Sequence, residues 1–133
     1  MKFYQCAHCG NQIIMLKDSG VPVVCCGEPM KQLIPGETDA SLEKHVPDAV
    51  QKEQVVQVQV GRIAHPMTPE HRIEWIVLET QQGFSVRRLR PGDAPEALFA
   101  LPDTETAVGA SAYCNLHGLW QSMLQEDGAC IPE

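Results

Sequence analysis

The sequence of 133 residues predicts an all-β protein in two parts. No stretch has the 3.6-residue apolar period of a helix of three turns, whereas about seven short segments have strand patterns separated by Gly- and Pro-containing turns. Four cysteines near the N-terminus lie in a segment too short to bury a core of its own, so metal must supply much of its folding energy. These observations predict a small metal-knuckle module followed by an antiparallel β-sandwich.

Composition and charge limit the classes of partner. The formal net charge is −7, and the longest basic run is Arg87-Arg88, so we expect no nucleic-acid partner. The N-terminus lacks the apolar core of a signal peptide, and no apolar run approaches ~18 residues, so we expect a cytoplasmic protein without membrane association. In a reducing compartment, cysteines are more often metal ligands than disulfides.

The N-terminal module contains Cys6-Ala7-His8-Cys9-Gly10 and then Cys25-Cys26-Gly27. A Cys-x-x-Cys followed by glycine is typical of a knuckle that directs two sulfurs at one point. Because side chains of adjacent residues diverge, a single ion held by both Cys25 and Cys26 would have a distorted tetrahedron. A thiolate site for iron or zinc is favoured over disulfides or reactive thiols, and four sulfurs do not distinguish the two metals. Between the two cysteine pairs, residues 12–17 are predicted to form a strand and residues 18–20 its turn.

Two further residues of interest have simpler interpretations. His8 lies between two ligands and is expected to face solvent. Cys130 has no partner in the sequence and is interpreted as a spare thiol near a loose C-terminus.

The remaining elements follow in order. Residues 33–38 are predicted to be a linker because of Pro35 and Gly36. Residues 54–60 alternate valine with glutamine, the period of a half-buried strand. Further strands are predicted at 73–80, 84–89, 97–101, 108–113 and 119–124, with a hairpin turn at 81–83.

Histidines and one cysteine outside the module form a second group of candidate ligands. His65 and His71 are six residues apart in a loop stiffened by two prolines, so they do not share a helix face. The other candidates are His45, His117 and Cys114. Scattered core and loop histidines are the alternative. Four imidazoles and one thiolate make five ligands, one more than structural zinc takes. On an ion that prefers six ligands they would leave one open position, and iron is the ion that fits best.

These motifs resemble the desulfoferrodoxin family, the two-iron class of superoxide reductases. The resemblance rests on the cysteine pairs, on Glu43-Lys44-His45, on His65-Pro66-Met67-Thr68-Pro69-Glu70-His71, on Glu74-Trp75, and on Cys114-Asn115-Leu116-His117-Gly118. It implies a desulforedoxin-like Fe(Cys)4 module at residues 1–36. It also implies an immunoglobulin-like sandwich at residues 37–133 carrying an Fe(His)4Cys site. A homodimer that takes electrons from a rubredoxin-type donor is implied as well.

The resemblance also suggests how superoxide would be reduced to hydrogen peroxide. Lys44 is expected to attract the anion to an acidic protein and to hold a water that donates a proton. Glu43 is expected to be the sixth ligand when superoxide is absent. Tyr113 and Trp120 flank the Cys114 turn in the sequence and are expected to shield it from bulk water. The equal alternative is that both are ordinary core aromatics. The competing hypotheses are an electron-transfer protein with an inert second metal and a superoxide dismutase.

Overall fold

The computed structural model describes residues 1–124 and the backbone of Cys130–Pro132. The chain forms two compact units, Met1–Ile34 and Pro35–Glu133. Strands dominate both units, and the helix found in the described residues is a single turn, so the all-β prediction is confirmed. Within the same residues, no helix is long and apolar enough to cross a membrane. The thiol of Cys130 lies outside the described residues.

The first unit is built from five short strands. They are β1 (Lys2–Gln5), β2 (Gln12–Met15), β3 (Val24–Cys25), β4 (Glu28–Pro29) and β5 (Lys31–Gln32). Strands β2, β1 and β5 form an antiparallel sheet in that order, and β3 pairs with β4 as a separate hairpin. The buried apolar side chains that the structure describes in this unit are Phe3, Cys6 and Met30. So small a core cannot by itself offset the conformational entropy of the segment.

The second unit is a sandwich of two antiparallel sheets, which confirms the predicted architecture. It begins with the one-turn helix α1 (Leu42–His45). Its strands are β6 (Pro47–Lys52), β7 (Val55–Val60), β8 (Ile73–Thr80), β9 (Phe84–Arg88), β10 (Glu96–Ala100), β11 (Ala107–Cys114), β12 (Gly118–Leu124) and β13 (Cys130–Pro132). One sheet has the order β10-β7-β6, and the other has the order β13-β12-β11-β8-β9.

The core lies between these two sheets. Val56, Val58 and Val60 of β7 are fully buried, whereas the glutamines between them are exposed, as the alternating pattern predicts. The facing sheet contributes buried Ile73, Ile76 and Leu78 of β8 together with residues of β11, and Cys114 belongs to the same cluster. The Cys114 thiol is therefore attached to the rigid, water-excluded centre of the domain.

A β-bulge interrupts the β8–β11 ladder close to Cys114. Tyr113 pairs with Trp75 and Cys114 pairs with Ile73, so Glu74 has no partner opposite it. Bulges reorient side chains at functional sites. Here the bulge lies where β11 ends and presents the cysteine.

Strand β6 was missed by the sequence patterns. It begins at Pro47 and contains Asp48 and Lys52, all residues with low strand propensity. Its position at the edge of the three-stranded sheet explains the proline, because an edge strand need not donate every backbone N–H. The sequence patterns do not predict the short strands β1, β3, β4, β5 and β13 either, and the predicted strand at residues 12–17 ends at Met15.

Candidate metal centres

The first cysteine pair forms a tight turn around one sulfur. The Cys6 Sγ accepts the backbone N–H groups of His8 and Cys9 at 3.4 and 3.5 Å, and Gly10 N donates to Cys6 O at 3.1 Å. The N–H groups of Cys9 and His8 are the main causes that lower the pKa of the Cys6 thiol to about 6. Hydrogen bonds of this kind favour the thiolate, which is the form that binds metals.

The second pair lies in a hairpin whose turn brings adjacent sulfurs together. Cys26 and Gly27 both have positive φ, 54° and 79°, as the two central residues of a type I′ turn require. With Cys26 in this left-handed conformation, its Sγ lies 3.9 Å from the Cys25 Sγ. Side chains of adjacent residues ordinarily diverge, and the left-handed backbone of Cys26 is the physical reason that both sulfurs can still face one point.

The four sulfurs are arranged for a single tetrahedral ion. All four lie within 4.8 Å of one another, with Cys9 Sγ 3.6 Å from Cys25 Sγ. A metal–sulfur distance of about 2.3 Å gives a tetrahedron with edges of about 3.8 Å. Without a cation, the neighbouring sulfurs of Cys9, Cys6 and Cys25 raise the pKa of Cys26 to about 12. Four thiolates at this spacing therefore need a positive ion between them.

Two of the candidate histidines are buried and oriented by backbone carbonyls. His45 ends α1 and is 3% exposed, and its Nδ1 lies 2.7 Å from Ser41 O. His65 is 2% exposed, and its Nδ1 lies 2.7 Å from Pro66 O. These carbonyls accept from the protonated Nδ1, so each ring directs a lone pair on Nε2 into the site.

His71 is held mainly through its backbone. His71 N donates to Thr68 Oγ1 at 3.0 Å, and Thr68 N donates to His71 O at 2.9 Å. Its Nε2 is buried and has no hydrogen-bond partner among the described residues. A buried imidazole nitrogen without a partner is uncommon in proteins, and it fits a nitrogen that binds a metal.

The remaining two candidates come from the turn between β11 and β12. Cys114 is the last residue of β11, and its Sγ lies 3.8 Å from Nδ1 of His117. Gly118, at φ 80°, turns the chain into β12. Burial raises the pKa of the Cys114 thiol, and the backbone N–H groups of Leu116 and His117 act in the opposite direction.

The four imidazoles are arranged approximately as a square. Neighbouring ring centroids are 4.6 to 5.1 Å apart, and neighbouring rings are inclined by 77° to 85°, in the cyclic order His45, His65, His71, His117. The opposite rings of His45 and His71 are 6.3 Å apart and inclined by only 29°. Cys114 Sγ lies within 4.8 Å of the ligand nitrogens of His45, His65 and His71. The structure thus brings together all five residues of the second predicted group.

Distances within this group also fit one ion. His45 Nε2 lies 3.0 Å from His117 Nδ1 and 3.2 Å from His65 Nε2. Two nitrogens about 2.1 Å from one ion and at right angles to each other would be about 3.0 Å apart. Burial is the main cause that lowers the pKa of His65 to about 4. The ring is therefore neutral at pH 7 and available as a ligand.

Glu43 and Lys44 precede His45 on α1, and both are exposed. Burial is the main cause that lowers the pKa of His71, and the Lys44 ammonium contributes to the same shift. The backbone of α1 is tied to the segment that leads to His65, because Ile63 N donates to Glu43 O at 3.1 Å.

Trp120 contacts the histidine group, whereas Tyr113 faces elsewhere. The ring centroids of Trp120 and His45 lie 5.1 Å apart, and Trp120 Nε1 donates to His117 O at 3.1 Å. Tyr113 stacks on Trp75 at 5.6 Å. Because successive strand residues face opposite sides of a sheet, Tyr113 and Cys114 point to opposite faces. Trp120 thus covers part of the group as expected, and Tyr113 belongs to the other face of the sheet.

Several contacts near the two groups of candidate ligands are not predicted by the sequence. His8, predicted to face solvent, is exposed but pairs with Glu28 at 3.1 Å. The carbonyls of Ser41 and Pro66 orient two rings. Asn115 joins the loop of His71 to the turn of Cys114. An asparagine between two candidate ligands was visible in the sequence, but its partners are backbone groups distant along the chain.

The fold and the two groups define a class of protein, a sandwich with a separate four-cysteine metal module and a second centre of histidines and one cysteine. Comparison with known proteins agrees with this class. The family described as Desulfoferrodoxin matches residues 37–123, and the family described as Desulfoferrodoxin, N-terminal domain, matches residues 1–33. The chain therefore belongs to the desulfoferrodoxin family.

Similar proteins span most of the chain. Desulfoferrodoxin of Nitratidesulfovibrio vulgaris is 46% identical over 122 residues, which cover 91% of this chain and 94% of the relative. The crystal structure of the superoxide reductase from Treponema pallidum is 36% identical with a TM-score of 0.77, over 90% of this chain and 96% of that one. The one-iron superoxide reductase from Giardia intestinalis is 35% identical with a TM-score of 0.54, over 62% of this chain and 98% of that one. The two groups of this chain fit the two iron centres that the sequence predicted.

Proposed function

We propose that this chain is a superoxide reductase, which converts superoxide to hydrogen peroxide by adding one electron and two protons, without releasing oxygen. The observation that carries this proposal is the square of four imidazoles beside the buried Cys114 thiol. Five protein donors are one fewer than an octahedral ion accepts, so substrate has a position to occupy. The likeness to superoxide reductases of known structure supports the same reaction.

Each centre is assigned to one part of the chain. Residues 1–36 form the desulforedoxin-like module, whose Fe(Cys)4 centre would be held by Cys6, Cys9, Cys25 and Cys26. Residues 37–133 form the catalytic sandwich, in which iron would be held by His45, His65, His71, His117 and Cys114. Iron in the second site would supply the electron and an open position for the anion, and a thiolate ligand makes it a better electron donor.

Lys44 is the residue that attracts the substrate. The protein has a net charge of −7, so an anion approaches against the overall field unless a local positive charge offsets it. Burial and the neighbouring imidazoles are the larger causes that lower the pKa of His45 and of His71, and the exposed ammonium of Lys44 adds a smaller contribution to both, which supports this role. Lys44 also holds a water that passes protons to the reduced substrate.

Glu43 occupies the position next to Lys44 on the same helical turn, and it would be the sixth ligand of the iron when superoxide is absent. A carboxylate prefers the harder ferric ion. The resemblance of Glu43-Lys44-His45 to the family motif supports this role.

Electrons enter from a rubredoxin-type donor. Cys9 and Cys26 are exposed while Cys6 is buried, so one edge of the first centre is open to a partner. The protein is a cytoplasmic homodimer in this proposal, which the family resemblance supports.

The test uses the full-length protein loaded with iron and reduced under anaerobic conditions. After a pulse of superoxide, we expect one hydrogen peroxide for each superoxide consumed, oxidation of the second centre, and no oxygen. Release of one oxygen for every two superoxide ions would mean dismutation and would exclude the reductase. Elemental analysis provides an independent check, since two irons per chain are expected and one zinc without iron would refute the assignment.

A further inference from the structure

Asn115 lies between two residues of the histidine–cysteine group and makes three hydrogen bonds to the segment that holds a third. We propose that Asn115 is a positioning residue, which fixes His71 relative to the Cys114–His117 turn and thereby sets the iron affinity and the electronic character of the site. This inference rests on the proposed function only in taking the group as an iron centre.

The contacts of Asn115 enclose His71 from both sides along the chain. Arg72 N donates to Asn115 Oδ1 at 2.8 Å, and Asn115 Nδ2 donates to Glu70 O at 2.9 Å. The backbone takes part as well, because Asn115 N donates to Arg72 O at 3.1 Å. The residues immediately before and after His71 are therefore both bonded to one side chain on the opposite turn.

His71 depends on such a clamp more than the buried histidines do. The rings of His45 and His65 are each oriented by a hydrogen bond from Nδ1 to a carbonyl at 2.7 Å. His71 is only partly buried, and the hydrogen bonds that the structure describes for it involve its backbone and Thr68. The position of its ring therefore follows from the position of residues 70–72.

Asparagine has the chemistry that this position requires. One partner, Arg72 N–H, is a donor and the other, Glu70 C=O, is an acceptor. A side-chain amide offers an acceptor and a donor at once, whereas an ionised aspartate only accepts and alanine does neither. Asn115→Asp therefore keeps the bond from Arg72 and loses the bond to Glu70.

The experiment measures iron binding rather than catalysis. The iron affinity of the full-length protein is determined by competition with a chelator, and the oxidised protein is examined by absorption and electron paramagnetic resonance. We expect Asn115→Ala to lower iron affinity at the second centre by about 10- to 100-fold, the usual effect of removing an outer-shell partner. The sulfur-to-iron absorption band should shift, and Asn115→Asp should fall between the parent and Asn115→Ala.

Gln54 provides a matched control remote from the site. Its Nε2 donates to Pro102 O at 2.8 Å and its backbone O accepts from Leu101 N at 2.8 Å, so it also joins distant segments through an amide. Gln54→Ala should leave iron affinity and the spectrum unchanged. An equal loss of affinity in Gln54→Ala would show that general destabilisation, not positioning, is responsible, and the proposal would be wrong.

A double-variant comparison tests whether Asn115 acts through His71. If it does, Asn115→Ala combined with His71→Ala should lose less affinity than the product of the two single losses. Losses that multiply fully would overturn the proposal, as would parent-like affinity and spectrum in Asn115→Ala. If Asn115→Ala does not fold, the iron affinity and the spectra of Asn115→Asp test the proposal in its place. None of these measurements uses superoxide, so a protein that binds iron and fails to reduce superoxide would refute the function and not this inference.

Discussion

Replacing Gly61 by alanine tests whether the backbone beside Lys44 must stay in its observed position. Gly61 has a φ of +81°, and a Cβ built on it would lie 2.6 Å from both C and O of Lys44 and 2.5 Å from Ile63 O. All three are backbone atoms, so no side-chain rotation relieves the contact. Gly61 N also donates to Val46 O at 3.0 Å, which keeps the two segments together. The substitution must therefore displace the chain that carries Lys44.

The expected cost has two parts. A left-handed conformation in a residue other than glycine costs about 1–2 kcal/mol. Forcing an extra methyl group into a packed site costs about 1–3 kcal/mol more. Gly61→Ala should therefore lower the free energy of unfolding by about 2–5 kcal/mol.

Gly92→Ala separates these two parts. Gly92 has a φ of +89°, but a Cβ there would meet nothing within 4 Å. Its cost should be the conformational part alone, about 1–2 kcal/mol. The difference of about 1–3 kcal/mol corresponds to roughly 4–24 °C in Tm, since 1 kcal/mol shifts the Tm of a domain of about 100 residues by about 4–8 °C.

The assay combines thermal unfolding with the rate of reaction with superoxide by pulse radiolysis. We expect Gly61→Ala to have the lower Tm and a slower second-order rate, because Lys44 is displaced, while Gly92→Ala reacts like the parent. Equal Tm values and equal rates for the two variants would refute the reasoning.

Three other predictions concern the proposed metal ligands and Lys44. Lys44→Ile should lower the second-order rate with superoxide by on the order of 10-fold, and this rate should depend less on ionic strength than the rate of the parent. Identical rates and identical salt dependence in the two proteins would show that Lys44 is an ordinary surface residue. Cys114→Ser replaces a buried thiolate by a hydroxyl that stays protonated, so the activity and the sulfur-to-iron absorption of the oxidised protein should both be lost. An active variant with the parent spectrum would contradict the assignment of Cys114 as an iron ligand. Cys25→Ser should remove the first iron and loosen that unit, while the chemically reduced protein still reacts with superoxide, and loss of that reaction would show that the first centre is catalytic.

Local patterns determined much of this protein. The alternation of Val56, Val58 and Val60 with glutamines predicted a strand with one buried face, because the strand period of two is a property of the backbone. The two cysteine pairs and the His65–His71 loop were recognisable because thiolates and imidazoles are few and their chemistry is specific. Such signals depend on residue type and spacing alone, so they can be read without knowing the fold.

Tertiary structure decided which groups meet. Strand β6 forms although Pro47 opposes it, because pairing with β7 along its whole length outweighs local propensity. The left-handed Cys26 aligns adjacent sulfurs through the turn between β3 and β4. Ser41 and Pro66 orient two imidazoles through backbone carbonyls, which every residue carries, so no residue type signals them. The cyclic order of the four imidazole rings likewise arises from contacts between segments far apart in sequence. The pairing of distant strands sets the positions of these segments.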